Sequence, residues 1–287
     1  MTHQRTAPPR ARRAAQVLAA VLLAAAPAVL QAQAVDNVLK GFQRTGDYLL
    51  VVDGKDVPAA EIYLADQIPA YLVMSTALPA PVLLSPRSGL AETVPIMKVL
   101  KRPDGSVDLL ADAELKSQGE FQVIRDVGEV RFTAGTRKAT LKPRPPLLGS
   151  HPGTDLKSYS PEYARGAKAY APDKTAIAAL RKESRPVKVK VFFGSWCPHC
   201  KEHVPMLLRV EDELKASGSK IQFEYYGLPQ GPAMTKDPEA QRMGVGSVPT
   251  GFVYVNGKQV GRLAGESWAA PERALRDLLS GKAQSGR

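Results

Sequence analysis

Two cysteines occur in the 287 residues, in the run Cys197-Pro198-His199-Cys200. Two intervening residues bring both sulfurs within bonding range on one helical turn. An apolar run, Val187–Phe193, comes before the pair. Val204, Leu207, Val210 and Leu214 follow at the period of a single helix face over 198–216. The pair is therefore expected where a strand turns into a helix. A helix start presents unpaired N–H groups and a partial positive charge, both of which favour a thiolate. A free cysteine titrates at about 8.5, and such sites lower it by one to several units. Cys197, at the cap, gains most and is the expected nucleophile. Cys200, one turn in, keeps its proton longer and is the expected resolving thiol. Pro198 suits the first helical position, and His199 adds donors, and a charge when protonated, beside the thiolate. Chemistry of this kind needs no dissociable cofactor, because the Cys197–Cys200 disulfide is itself the redox group.

Other uses of the pair fit less well. Half a zinc site would need a second cysteine pair, and the chain has four histidines, one of them His3. No metal ligands are assigned. An inert structural disulfide is poorly served by so tight a loop at a helix start. Trp196, read alone, is a packing residue.

The surrounding elements divide into two regions. Short apolar runs at 48–52, 61–64, 71–74, 82–84, 94–100, 107–110, 121–124, 129–132 and 137–141 alternate with turn residues such as Asp53-Gly54 and Asp104-Gly105. Residues 36–142 are thus expected to form a mostly-β domain. It carries no legible chemistry, and client binding, dimerisation and partner docking all remain open for it. Pro143, Pro145, Pro146, Gly149, Pro152, Gly153 and Pro161 crowd the next stretch, so 143–164 is read as a linker. Beyond it, over 165–281, the expected order is helix, strand, helix, strand, strand, strand, helix. Asp173 opens the first helix, Asn256-Gly257 turns a hairpin, and Ser267 caps the last helix.

Residues 165–281 resemble the thioredoxin superfamily. The carriers of the resemblance are Trp196-Cys197-Pro198-His199-Cys200-Lys201 after Val191-Phe192-Phe193-Gly194-Ser195, Pro205 inside the helix, Gly244-Val245-Gly246-Ser247-Val248-Pro249-Thr250, Asn256-Gly257-Lys258 and Gly265. The resemblance implies an α/β thioredoxin fold in which Pro249 is cis. It also implies that Trp196, Val248 and Pro249 line the client site, and that Pro198 and His199 tune the potential. The Pro-His dipeptide is similar to that of periplasmic Dsb-type oxidases. Those oxidases carry a helical insertion before the cis-proline loop, and 48 residues between Cys200 and Pro249 leave no room for one. The remainder is similar to a plain thioredoxin or to a reductant of cytochrome c maturation. Val191 stands where thioredoxins carry a buried acid, and His203 where some maturation reductants carry a Glu. Oxidase, reductase and isomerase directions all stay open.

The N-terminus supplies an address. Arg5, Arg10, Arg12 and Arg13 precede an apolar run over 17–30 and the small-residue site Ala32-Gln33-Ala34. Residues 1–34 read as an export signal, shorter than the ~20 apolar residues of a spanning helix. The expected location is periplasmic or otherwise extracytoplasmic, membrane-anchored if the signal stays uncleaved. Arg12-Arg13 leaves both the general secretory and the twin-arginine routes in view. Loss of those 34 residues would leave 253 and remove four positive charges, taking the formal net charge from +11 to +7. The remaining basic residues are scattered, which speaks against a nucleic-acid partner. Expected partners are protein clients bearing thiols or disulfides and a membrane or soluble recycling partner; the oligomeric state is unassigned. The rival from another class is a non-catalytic binding or scaffold protein.

Overall fold

A computed structural model describes residues 40–65 and 69–281. The export segment expected over 1–34 and the tail at 282–287 lie outside the described residues. Among the described residues no helix is long and apolar enough to cross a membrane.

The N-terminal region is built of antiparallel strands in two sheets. One is eight-stranded, in the order Lys116–Glu120, Leu90–Thr93, Val82–Ser85, Tyr71–Met74, Glu61–Ala65, Phe42–Arg44, Val107–Leu109, Val99–Lys101. The other is five-stranded: Gln122–Ile124, Glu129–Ala134, Arg137–Pro143, Tyr48–Val52, Lys55–Val57. Period-2 alternation decides what lies between them. Ile62, Val73, Val82 and Leu84 face Leu50, Val52, Phe132 and Leu141 of the second sheet. Tyr63, Leu72 and Leu83, on the opposite face, join Phe42, Val107 and Leu109 in a second core. The expected strand over 94–100 is interrupted. Pro95 cannot donate to a ladder, and a short 3-10 turn, Ile96–Lys98, leaves Met97 81% exposed.

The C-terminal region runs β1 (Gly149–His151), α1 (Gly153–Tyr159), α2 (Pro161–Ala169), α3 (Lys174–Arg181), β2 (Val187–Phe193), α4 (Pro198–Lys215), β3 (Ile221–Gly227), α5 (Pro232–Lys236), α6 (Pro238–Met243), β4 (Thr250–Val255), β5 (Lys258–Leu263) and α7 (Pro271–Leu279). The sheet order is β1-β3-β2-β4-β5; β2 and β3 are parallel and the other pairs antiparallel. Val187, Val189, Val191 and Phe193 of β2 pack under α2, α3, α4 and α7. Phe192 points to the other face, against Phe252, Leu228 and Ala240. Each such fully buried side chain contributes about 1.5–3 kcal/mol, so the C-terminal end of β2 is a rigid base for the cysteine loop.

Residues 143–164 do not form a structureless linker. Pro152 is the N-cap of α1 and Pro161 occupies the first turn of α2. Proline is favourable at helix starts because it lacks only an N–H that would have no partner there. The proline crowding read as a break thus marks two helix openings. Two further differences are local. Short helices α5 and α6 stand between β3 and β4, and the last helix opens at Pro271, with Ser267 inside a 3-10 turn, Gly265–Ala269. The described residues of both regions fall in one compact unit.

Candidate active site

Cys197 is the N-cap of α4, with φ −85° and ψ 123°. Its N–H donates to Gly194 O at 3.0 Å, and its carbonyl accepts the first helical bond from Lys201 N at 3.1 Å. The loop is thereby pinned to the end of β2 on one side and to α4 on the other. The two sulfurs occupy unlike settings. Cys197 is 7% exposed, and its thiol meets Val248 O at 3.8 Å. Cys200 is fully buried and accepts from Gly194 N at 3.4 Å.

These settings drive the thiols apart. A hydrogen bond from Cys200 is the largest influence on Cys197. Burial opposes it, and the backbone N–H groups of Cys200 and His199 reinforce it. The charge of His199 comes last, and the Cys197 thiol ends at about 6. Burial pushes Cys200 far up; the neighbouring Cys197 adds to this, and only the Gly194 N–H works against it. Stabilisation of Cys197 therefore comes more from its partner thiol and the helix N–H groups than from the imidazole.

The other expected site residues are arranged as follows. Trp196 is half-buried and donates from Nε1 to Leu228 O at 3.0 Å. Gly194 lies under its indole, where an added Cβ would come within 2.6 Å of the ring. The Val248–Pro249 peptide is cis, and Val248 is the residue of that loop that meets Cys197. Pro198 and His199 are exposed at the start of α4, and the His199 ring stacks on His203 with centroids 6.4 Å apart. The donor atoms of His199, Glu202 and His203 lie within 4.8 Å of one another on this solvent side. Val191 is fully buried in the core beneath the pair. The buried acids of the domain lie elsewhere. Glu211 accepts from Tyr225 Oη at 2.8 Å, and Glu272 from Tyr170 Oη at 2.8 Å.

Three residues near the pair were given no site role from the sequence. Ser195 is buried and its Oγ accepts from Leu147 N at 3.0 Å. Asp47, from the β region, pairs with Lys201. Tyr163 of α2 is fully buried in the same core as both cysteines. Asp47 and Tyr163 carry no sequence signal, since one lies in a β-region turn and the other in the proline-crowded stretch. A cavity of about 410 Å³ opens beside Trp196, with Asp47, Tyr48, Tyr71, Arg144 and Tyr159 in its wall.

Residues 171–279 match the thioredoxin family model. The C-terminal domain belongs to the thioredoxin superfamily. Similar solved structures include a protein of unknown function from Pseudomonas aeruginosa, 14% identical, covering 45% of this chain and 86% of that one, with a TM-score of 0.34. Thioredoxin f2 of Chlamydomonas reinhardtii is 18% identical, with coverage of 39% and 94% and a TM-score of 0.26. Mitochondrial thioredoxin 3 of Saccharomyces cerevisiae is 21% identical, with coverage of 39% and 98% and a TM-score of 0.26. No curated protein matches the chain. The thioredoxin match begins after α2, so Asp47, Arg144 and Tyr163 lie outside it.

Proposed function

We propose that this protein is an extracytoplasmic thiol–disulfide oxidoreductase that exchanges disulfides with protein clients through Cys197 and Cys200. The observation that carries this reading is the asymmetry of the pair: a sulfur on the N-cap residue of α4 held low beside a fully buried one held high. Thioredoxin-superfamily proteins are of the thiol–disulfide oxidoreductase class, and the extracytoplasmic part rests on the export features of residues 1–34.

In the reducing direction the Cys197 thiolate attacks one sulfur of a client disulfide. The Cys197–client bond forms, the client S–S bond breaks, and the departing client thiolate takes up a proton. Cys200 then attacks the Cys197 sulfur, forming the internal disulfide and releasing the second client thiol. Two electrons pass from the cysteine pair to the client, and a separate recycling partner restores the dithiol. The oxidising direction is the same sequence reversed. The Val248 carbonyl beside Cys197 offers backbone to an extended client segment. Tyr48, Tyr71 and Asp47 bring the β region to the cavity beside Trp196, which gives that region a part in client choice.

The test is turnover of a disulfide-bonded model protein by the mature chain in a glutathione buffer series. Acceleration that is lost in Cys197→Ser supports the reading, and the potential at half-oxidation assigns the direction. A chain that forms and breaks its own disulfide without accelerating exchange is the scaffold alternative.

A further inference from the structure

The resolving step poses a problem that the pair does not solve alone. Cys200 must give up its proton inside a core where it is fully buried. The neighbouring strand position, Val191, is apolar and also fully buried. In the dithiol, Cys200 donates toward Cys197 and accepts only the Gly194 N–H at 3.4 Å. Once Cys197 is tied up in a mixed disulfide, the developing Cys200 anion needs another donor.

A donor without an occupation lies in the same core. Tyr163 is fully buried, and its hydroxyl has no hydrogen-bond partner among the described residues. A buried polar group left without a partner is costly and calls for an explanation. Its ring meets Phe193 edge-on, with centroids 6.3 Å apart and planes at 85°, and Phe193 directly precedes Gly194. Helix α2 is held close to α4 because residue 166 is glycine: a Cβ there would come within 2.7 Å of Pro205 Cβ. Cys200 is the ionisable group that bears most on the phenol, ahead of Tyr159, Cys197 and Glu162. Two other nearby polar groups are engaged. Tyr159 Oη donates to Pro145 O at 2.9 Å, and Glu162 accepts from Ser160 and Gly46. His203, one turn along α4 from Cys200, stacks on His199, and its Nδ1 is likewise buried without a hydrogen-bond partner among the described residues, so it is the rival donor that the test separates from Tyr163.

We propose that the Tyr163 hydroxyl donates a hydrogen bond to the Cys200 sulfur as that sulfur becomes an anion, directly or through one water, and so speeds resolution of the mixed disulfide. The proposal rests on the reading of Cys197 and Cys200 as an exchange pair. Burial pushes the phenol up, so Tyr163 keeps its own proton and acts as a donor, never as a base. The proton lost by Cys200 ends on the departing client sulfur, and no outside reductant enters.

The test is Tyr163→Phe in the full chain, which removes one oxygen and keeps the ring. Resolution of a preformed mixed disulfide with a cysteine peptide should slow about tenfold, the scale of one hydrogen bond to a charged group. Its pH profile should move upward, while Cys197 alkylation and the thermal midpoint hold or improve. In a Cys197→Ser background, which does no exchange, Tyr163→Phe should raise the pH at which the Cys200 thiolate absorbs. A wild-type chain with no exchange activity would defeat the proposed function, yet this second readout would still decide the role of Tyr163. Unchanged resolution and an unchanged Cys200 titration would overturn the proposal, as would a slowing produced by His203→Ala and not by Tyr163→Phe.

Discussion

Asp47 of the β region and Lys201 of α4 form an ion pair one residue beyond Cys200. Helix α2 grips the same turn: both carboxylate oxygens of Glu162 accept from Gly46 N at 3.0 Å, and Arg165 Nη1 donates to Arg44 O at 2.9 Å. Arg144 Nε closes the clamp on Gly46 O at 2.7 Å. The two fastenings should differ in strength. The Asp47 side chain is 43% exposed, so Asp47→Asn should cost no more than about 1 kcal/mol. Glu162→Ala strands the Gly46 N–H and the Ser160 hydroxyl and should cost about 1–3 kcal/mol. Denaturant midpoints compare the two; a larger loss for Asp47→Asn would contradict this ranking.

Alkylation of Cys197 should show a single transition near pH 6. Because the Cys200 thiol is the first cause of that low value, Cys200→Ala should move the transition upward further than His199→Ala does. The His199 contribution, at about 1 kcal/mol or less, corresponds to about 20 mV or less for a two-electron couple. A His199→Ala protein whose potential drops by more than Cys200→Ala raises the Cys197 transition, both expressed in free energy, would reverse the order of causes.

Stability of the reduced protein should depend on pH in a defined window. The Cys197 value is depressed in the fold, from that of a free thiol to about 6. Its contribution is therefore fully present above the unfolded value, shrinks as pH falls through the window and is gone below about 6. Cys200 is raised in the fold, so its contribution has the opposite sign and erodes stability once the unfolded thiol ionises. Relative to Cys197→Ser, the wild-type dithiol should gain stability from pH 6 to 8. Parallel stability curves for the two proteins would show that the Cys197 shift is absent.

Gly227 ends β3 directly beneath the segment that enters β1. A Cβ there would sit 1.9 Å from Leu147 O, a backbone atom that cannot swing aside. Gly227→Ala should lower the thermal midpoint by several degrees, the scale of 1–3 kcal/mol of steric strain in a domain of this size. An unchanged midpoint would mean that the entry segment is free to move.

Limited proteolysis should spare 147–165, because that stretch is an edge strand and two helices. The exposed 3-10 turn at Ile96–Lys98 is a better substrate. First cleavage between Gly149 and Ser160 would argue that β1 and α1 dock only loosely.

Much of the C-terminal domain was legible because its signals are local. Val187–Phe193 reads as a strand and ends where expected, Asp173 caps α3 through a bond from Ala176 N at 2.7 Å, and Asn256-Gly257 turns with φ 49° and 77°. The cysteine junction follows from the same local pattern. What stayed illegible depends on distance along the chain. Asp47 meets Lys201 across 154 positions, and nothing near residue 47 announces it. Tyr163 was hidden by composition, since prolines that open helices look like prolines that break them. In the β region, Leu90–Thr93 and Lys116–Glu120 carry too few apolar residues to read as strands; their pairing with each other makes them so.

Strand β1 is only three residues long, Gly149–His151, yet it pairs with the whole outer end of β3, from Tyr225 to Gly227. A fragment begun at residue 171, where the thioredoxin match starts, would leave that backbone row unpaired. Open rows of this kind template the addition of strands from other molecules. The three residues ahead of α1 therefore work as an edge guard. The segment that ties the β region to the thioredoxin-like domain also covers the outer backbone row of β3 from Tyr225 to Gly227.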